Sequence, residues 1–244
     1  MNARSIPVAL VMAVLCHSAF AAAVGSMAWA LATGMQLGCG TLTGLSAAVA
    51  NLLLVLQFPL LHSFLLGTRG RQLIPKLSPF GHGRVLAVTT YAMSASAQLL
   101  LTFWAWSPSG EVWHAPHGVT GALQWAAFGA SWIYLQKALW DAGLGVQSGA
   151  AGWWALLRGR PVQYGELPTK GLFASCRQPI YLGFAMVLWT APVWTPDWML
   201  LAVTWSAYCV FGPRHKEARW ESRYGAAFVA YRARVPYLLP RLFR

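Results

Sequence analysis

The chain has 244 residues, of which 57% are hydrophobic and 10% charged, and its mean hydropathy is +0.48. A soluble domain carries about 25% charged residues, so this composition excludes an ordinary soluble globular fold. The net charge of +12 at pH 7 raises nucleic acid as a partner, a reading that the distribution of the charge argues against.

Long apolar runs read as membrane spans, each needing about 20 residues. Four fall at roughly Ile6–Ala32, Leu42–Leu66, Val85–Trp106 and Val119–Trp140. The first is longer than the 7 to 15 apolar residues typical of a signal peptide, and only Arg4 precedes it, so it is expected to remain as a span. A fifth run, Ile180–Phe211, is broken by APVWTPD at 191–197, whose two prolines and aspartate favour a turn. Its halves read as a short helical hairpin, either crossing the membrane twice or entering and leaving on one side. The fold class expected is therefore all-α: a polytopic integral membrane protein of about six transmembrane helices, the last two a short hairpin, with an amphipathic tail on the cytosolic side.

With six helices and the amino terminus inside, the basic residues sort by side. Arg69, Arg71, Lys76 and Arg84 follow the second helix. Lys137, Arg158, Arg160, Lys170 and Arg177 lie at or after the inner end of the fourth. Eight more follow the sixth, and Arg4 precedes the first. All 18 Lys and Arg fall inside, while the outer connections hold Glu111 and Asp197. This is the positive-inside bias, and it accounts for the basicity without nucleic acid. It also implies both termini in the cytosol, in what reads as a bacterial cytoplasmic membrane, and an inner face that attracts anionic lipid.

Residues 1–140 read as a four-helix membrane scaffold whose small residues permit close packing. Residues 141–244 hold a long inner connection, the hairpin and the tail, and loops of such length are usually functional. Trp153 and Trp154 are expected at the membrane interface. In the tail, Trp220, Tyr224, Phe228 and Tyr231 recur at helical spacing, with a helix lying on the membrane as the plain reading.

Several motifs carry little. GLGVQSG at 143–149 has glycines near dinucleotide-binding spacing but follows a membrane helix and not a strand. Cys16, Cys39, Cys176 and Cys209 form no CxxC pair. His17 reads as structural. Gln57, Pro59, His62 and Ser63 cluster at the end of the second helix, where an intramembrane histidine is as readily functional as helix-bonded. His114, His117 and Glu111 offer metal-ligand types without a fourth ligand.

The polar segments flanking the hairpin are more informative. CRQPIYLGF (176–184) enters it and HKEARWESRYG (215–225) leaves it. A closed hairpin brings Arg177, Gln178 and Tyr181 near Glu217, with Arg232 and Arg234 available from the tail. Guanidiniums, a carboxylate, an amide and aromatic rings suit a zwitterionic ligand, since arginine pairs bidentately with carboxylate and ring faces receive cations. The same residues can equally be salt bridges that hold the tail down.

RQPIYLGF followed by the broken hairpin and then KEARWESRYGAAFVAYRARVPYLLP resembles the carboxyl-terminal signature of the isoprenylcysteine carboxyl methyltransferase-like membrane methyltransferases. That superfamily shows Arg-His-Pro-x-Tyr-x-Gly, a Glu-Glu pair before Phe-Gly, then Tyr and Arg-Val-Pro. The matching positions are Arg177, Pro179, Tyr181, Gly183, Glu217, Gly225, Tyr231, Arg234 and Pro236. LHS (61–63) before a basic loop, and WSPSGEVWH (106–114), are similar to the methanethiol S-methyltransferase and denitrification-associated branch. The resemblance implies S-adenosylmethionine bound on the cytosolic side by Arg177, Gln178, Pro179, Tyr181, Leu182, Gly183, Glu217 and Tyr231. It implies methyl transfer to a small hydrophobic thiol or lipophilic carboxylate, with Arg177, Arg232 and Arg234 as the catalytic candidates. Two positions depart from the pattern: the family histidine is Gln178, which cannot take a proton, and the first glutamate is Lys216, which reverses the local sign. They favour the alternative, a non-catalytic membrane assembly or regulatory protein that keeps the fold.

Overall fold

A computed structural model describes residues 5–240; Arg4, Arg241 and Arg244 of the charge pattern lie outside them. The described residues are helical, with no strand among them and a single isolated bridge between His114 and Trp194. In chain order the helices are α1 (Ser5–Ala32), α2 (Gly44–Leu66), α3 (Thr68–Leu77), α4 (Gly83–Trp104), α5 (Gly118–Asp141), α6 (Leu144–Gln147), α7 (Ala150–Arg158), α8 (Pro179–Trp189), α9 (Pro196–Tyr224) and α10 (Ala226–Arg234). Helices α1, α2 and α4 are each long and apolar enough to cross a membrane. Helix α5 has the length, at 24 residues, but is more polar, with Gln124, Gln136, Lys137 and Asp141 along it.

The chain divides into two compact units. The first takes in the described residues up to Ala30, then Met35–Pro108 and Gly143–Tyr164. Its apolar core joins Ala9 and Met12 of α1, Leu86 of α4 and Leu156 of α7. Polar pairs buried between its helices replace the water that lipid cannot supply. Asn51 donates to the Ser107 carbonyl at 2.8 Å and accepts from its N–H at 3.0 Å. Gln57 donates to the Gln98 carbonyl and the Thr102 hydroxyl, both at 2.9 Å.

Two glycines of GLGVQSGAAG, Gly149 and Gly152, serve packing. A Cβ on Gly152 would come within 2.5 Å of Thr89 Oγ1, and one on Gly149, at φ +81°, within 2.6 Å of Ala92 Cβ. Their absence lets α7 settle on α4, where the Thr89 hydroxyl donates to the Gly149 carbonyl at 2.7 Å and accepts from Trp153 N–H at 3.0 Å. His17 accepts from Trp153 Nε1 at 3.1 Å, a structural role. His62 Nε2 lies 2.7 Å from the Tyr91 hydroxyl, which ties α2 to α4.

The second unit takes in Leu31–Gly34, Ser109–Ala142 and the described residues from Gly165 onward, and holds α5, α8, α9 and α10. Gly183 lets α8 lie against α5, since a Cβ there would meet Leu135 Cα at 3.0 Å. APVWTPD makes the expected turn between α8 and α9. Thr195 caps α9 by accepting from Trp198 N–H at 2.9 Å and donates to the Gly34 carbonyl at 2.6 Å. Trp194 stacks on Trp198 at 5.0 Å, and Asp197 accepts from the N–H and hydroxyl of Ser109.

The two legs of this hairpin are unequal. Helix α8 has 11 residues and α9 has 29, so at 1.5 Å per residue they reach about 16 and 44 Å. Helix α9 passes through Pro213 and takes in the first part of the basic tail. The tail is therefore not one separate helix: α9 ends at Gly225, whose φ of +53° suits glycine, and α10 begins there. The aromatic stripe also turns inward. Phe228 and Tyr231 are buried, and Trp220 meets Phe228 at 6.0 Å, so the stripe packs against protein and not against lipid.

Candidate functional site

The segment that enters α8 is fixed from both ends. A 3-10 turn at Gly171–Ala174 precedes it, and Pro179 opens the helix, where its missing N–H costs nothing. Leu182 N–H makes an early helical bond to the Gln178 carbonyl at 3.0 Å. Between turn and helix, Cys176, Arg177 and Gln178 are all buried.

Arg177 is the hub. Its Nε donates to Glu217 Oε1 at 2.8 Å and its Nη2 to Oε2 at 3.2 Å, the bidentate fork favoured by guanidinium and carboxylate. Its Nη1 donates to the carbonyls of Val235 at 2.6 Å and Arg232 at 3.2 Å. Its own N–H donates to the Pro236 carbonyl at 2.9 Å, and its guanidinium lies 5.4 Å from the Tyr237 ring. One side chain thus joins the start of α8, the last third of α9 and the chain leaving α10. Gln178 Nε2 gives Glu217 Oε1 a further bond at 2.7 Å. The other end of this amide, Oε1, is buried with no hydrogen-bond partner, although Gln178 is fully enclosed. Such an orphaned acceptor is uncommon.

Lys216, next to Glu217, takes another path. Its ammonium sits 4.4 Å from the Trp220 ring, 5.3 Å from Tyr181 and 5.8 Å from Phe173. Burial among these rings pushes its pKa down to about 7; Glu217 pulls the other way and Arg219 adds to the fall. Desolvation disfavours the charged amine, so near neutral pH a large share of Lys216 is free amine. Tyr231 donates to the Phe173 carbonyl at 2.7 Å and so holds one wall in place. Burial also raises the Cys176 thiol above its ordinary value, with the neighbouring Lys216 opposing.

Of the residues read from the sequence, Arg177, Gln178, Tyr181, Glu217 and Tyr231 gather within this one cluster. Pro179 and Leu182 shape the start of α8, and Gly183 serves the contact with α5. Arg232 and Arg234 stand apart. Arg232 forks onto Glu221 at 2.8 and 3.0 Å at the exposed surface, and Arg234 bonds the Ala230 carbonyl of its own helix. Only the backbone carbonyl of Arg232 reaches Arg177. Sequence reasoning missed Phe173, Trp220 and the carbonyls after α10. The Lys216–Trp220 spacing of four on one helix was a usable signal; nothing marked Phe173.

These features define an all-helical protein with three helices suited to crossing a membrane and a polar cluster clasped at the carboxyl-terminal end. The chain is 29% identical over 213 residues to methanethiol S-methyltransferase 2 of Bradyrhizobium diazoefficiens, covering 84% of this chain and 78% of the relative. It is 27% identical to the methanethiol S-methyltransferase of Pseudomonas deceptionensis over 81% of this chain and 74% of the relative. It is 25% identical to that of Mycobacterium tuberculosis over 80% and 78%. These relatives put the chain alongside the methanethiol S-methyltransferase branch of the membrane methyltransferases, as the resemblance at LHS (61–63) and WSPSGEVWH (106–114) implies. No family model matches the chain, and no solved structure does.

Proposed function

We propose that the chain is an integral membrane methyltransferase that uses S-adenosylmethionine, with a small hydrophobic thiol as acceptor and a lipophilic carboxylate as the wider possibility. The orphaned Gln178 Oε1 carries the reading: a buried acceptor beside a buried carboxylate and a ring-lined cation site is what an amino-acid-bearing sulfonium needs. The relatives' names support the thiol. The cofactor-binding region is 141–244, it includes the hairpin, whose first leg of about 16 Å is shorter than the roughly 30 Å hydrocarbon core of a bilayer, and both termini lie in the cytosol of a bacterial membrane.

The residues fit the cofactor. Gln178 Oε1 can accept from an ammonium or hydroxyl, and Tyr181, Trp220 and Phe173 present faces to a cation. When bound, S-adenosylmethionine supplies an electrophilic methyl on sulfur. This chain's part is to align and to handle the proton, and alignment alone can supply much of such a rate. Arg177 is engaged by Glu217 and two carbonyls, so it acts as the positioning residue that fixes Gln178. Lys216 is the group able to take a proton: its free amine, abundant near pH 7, removes the thiol proton and leaves the thiolate, which is the nucleophile. Arg232 and Arg234, at the surface, orient an acidic acceptor only if that acceptor arrives from the tail side.

The test is calorimetric titration of S-adenosylmethionine and S-adenosylhomocysteine into the detergent-purified protein, followed by headspace detection of dimethyl sulfide from methanethiol. Micromolar binding with product supports the enzyme. Absence of binding to folded protein refutes the cofactor. A second reading rests on Lys216: its ammonium already fills the ring-lined site, as in a degenerate enzyme with a non-catalytic assembly role. Binding or turnover gained only in Gln178→His/Lys216→Glu favours that reading.

A further inference from the structure

The six Asp and Glu of the chain are Glu111, Asp141, Glu166, Asp197, Glu217 and Glu221. All six fall in the second unit, and the first holds none. The first unit nevertheless carries Arg69, Arg71, Lys76, Arg84, Arg158 and Arg160. The three ion pairs among the described residues involve Lys137, Arg177 and Arg232, so none neutralises these six. A membrane unit with uncompensated positive charge takes its counter-charge from elsewhere.

Two of the six line a concave site. A groove of about 580 Å³ runs along α6 and α7, walled by Trp153, Trp154, Arg158, Arg160, Pro161 and Gln163 and floored by small residues of the two helices. The volume lies within the range of ligand sites. The Arg158 guanidinium rests 4.6 Å from the Trp154 ring, a contact that limits its freedom in advance. Gly159, at φ +61°, turns the chain after α7, and Arg160 N–H bonds back to the Ala155 carbonyl at 3.0 Å. Arg158 and Arg160 are thereby held on the same groove.

We propose that this groove binds the phosphate of an anionic phospholipid between Arg158 and Arg160, with the glycerol carbons against Trp153 and Trp154. Guanidinium forks match phosphate oxygens. Tryptophan faces suit the boundary between head group and acyl chain, and the same unit supplies the three helices able to cross the bilayer. A free phosphate would use the arginines and leave the aromatic wall unused, so the chemistry favours the lipid.

The test is native mass spectrometry of the full-length detergent-purified protein with phosphatidylglycerol, phosphatidylcholine or inorganic phosphate. Arg158→Gln/Arg160→Gln is compared with Arg69→Gln/Arg71→Gln, which removes equal charge away from the groove. A guanidinium–phosphate hydrogen bond is worth about tenfold or more in binding, so the groove variant is expected to hold phosphatidylglycerol roughly a hundredfold more weakly. Trp154→Leu, which keeps both arginines, also weakens it, and the control, which loses no contact to the phosphate, stays near wild type in neutral detergent. Equal loss in the groove and control variants would mean diffuse attraction and overturn the site. Equal retention of phosphatidylcholine, or complete displacement of the lipid by inorganic phosphate, would overturn it as well. Both arginines are exposed, so the groove variant keeps its unfolding midpoint, and a fall in binding reports the groove.

Discussion

The Arg177–Glu217 fork should behave as a clasp before it behaves as a ligand site. The two side chains are only 11% and 12% exposed. Glu217→Ala removes three hydrogen bonds at once, two from Arg177 and one from Gln178, and leaves a buried guanidinium with two carbonyls. Breaking such a pair from one side costs about 3–5 kcal/mol. For a chain of this size 1 kcal/mol moves the unfolding midpoint by about 2–4 °C, so the drop should be roughly 6–20 °C. Arg177→Ala should be comparable, because it also releases the chain at Val235 from the start of α8. The double variant no longer strands a charge, so its loss should fall short of the sum by about 1–3 kcal/mol. Thermal unfolding of the three variants in detergent, followed by tryptophan emission, reads all of this. Single shifts below about 2 °C, or a double variant that is simply additive, would refute the clasp. A loss of cofactor binding in Glu217→Ala is interpretable only below its lowered midpoint.

Lys216 gives a pH dependence whose sign is fixed. Its folded pKa of about 7 lies below the ordinary lysine value of 10.5, so between these values the unfolded chain binds more protons and stability rises with pH. That contribution is full above the unfolded value and is lost as pH falls through about 7. In Lys216→Met, which keeps the packed stem, the rise in midpoint from pH 7 to 10 should shrink, and the rise of turnover with pH through neutrality should vanish with it. Gly183→Leu should part α8 from α5 and cost about 1–3 kcal/mol, read as a lowered midpoint with normal expression. Asn51→Ala should leave the N–H and carbonyl of Ser107 without their partner, at about 1–3 kcal/mol for each group, whereas exposed Leu45→Ala should leave the midpoint in detergent unchanged.

Much of the first unit was legible because its signal is local. The apolar runs at 6–32, 42–66 and 85–106 became helices within two residues of those bounds, and in the second unit the equally local APVWTPD became the turn after α8. The continuity of α9 through Pro213 was not legible. Proline usually ends a helix, and here the helix runs on through a buried Pro213 into Glu217, which Arg177 holds. The meeting of Arg177, Gln178 and Glu217 followed from closing the hairpin. The ring site around Lys216 did not, because Phe173 is 43 residues away and is held by Tyr231. The glycines at 143–152 lack the preceding strand that a dinucleotide site needs, but what they do was not legible: at Gly149 and Gly152 the missing Cβ serves the packing of α7 on α4.

The net charge of +12 therefore has two physical meanings that the positive-inside pattern merges. In the second unit cations have partners inside the protein: Arg177 has Glu217, Arg232 has Glu221, Lys137 has Asp141, and Lys216 has three rings. Those charges set local structure, and salt should weaken Arg232–Glu221 at the surface far more than the buried fork. In the first unit no carboxylate exists to answer Arg158 and Arg160, and screening acts on them directly. Raised salt should thus strip lipid from the groove while leaving the clasp intact, a separation that total charge or loop-by-loop counting does not reveal.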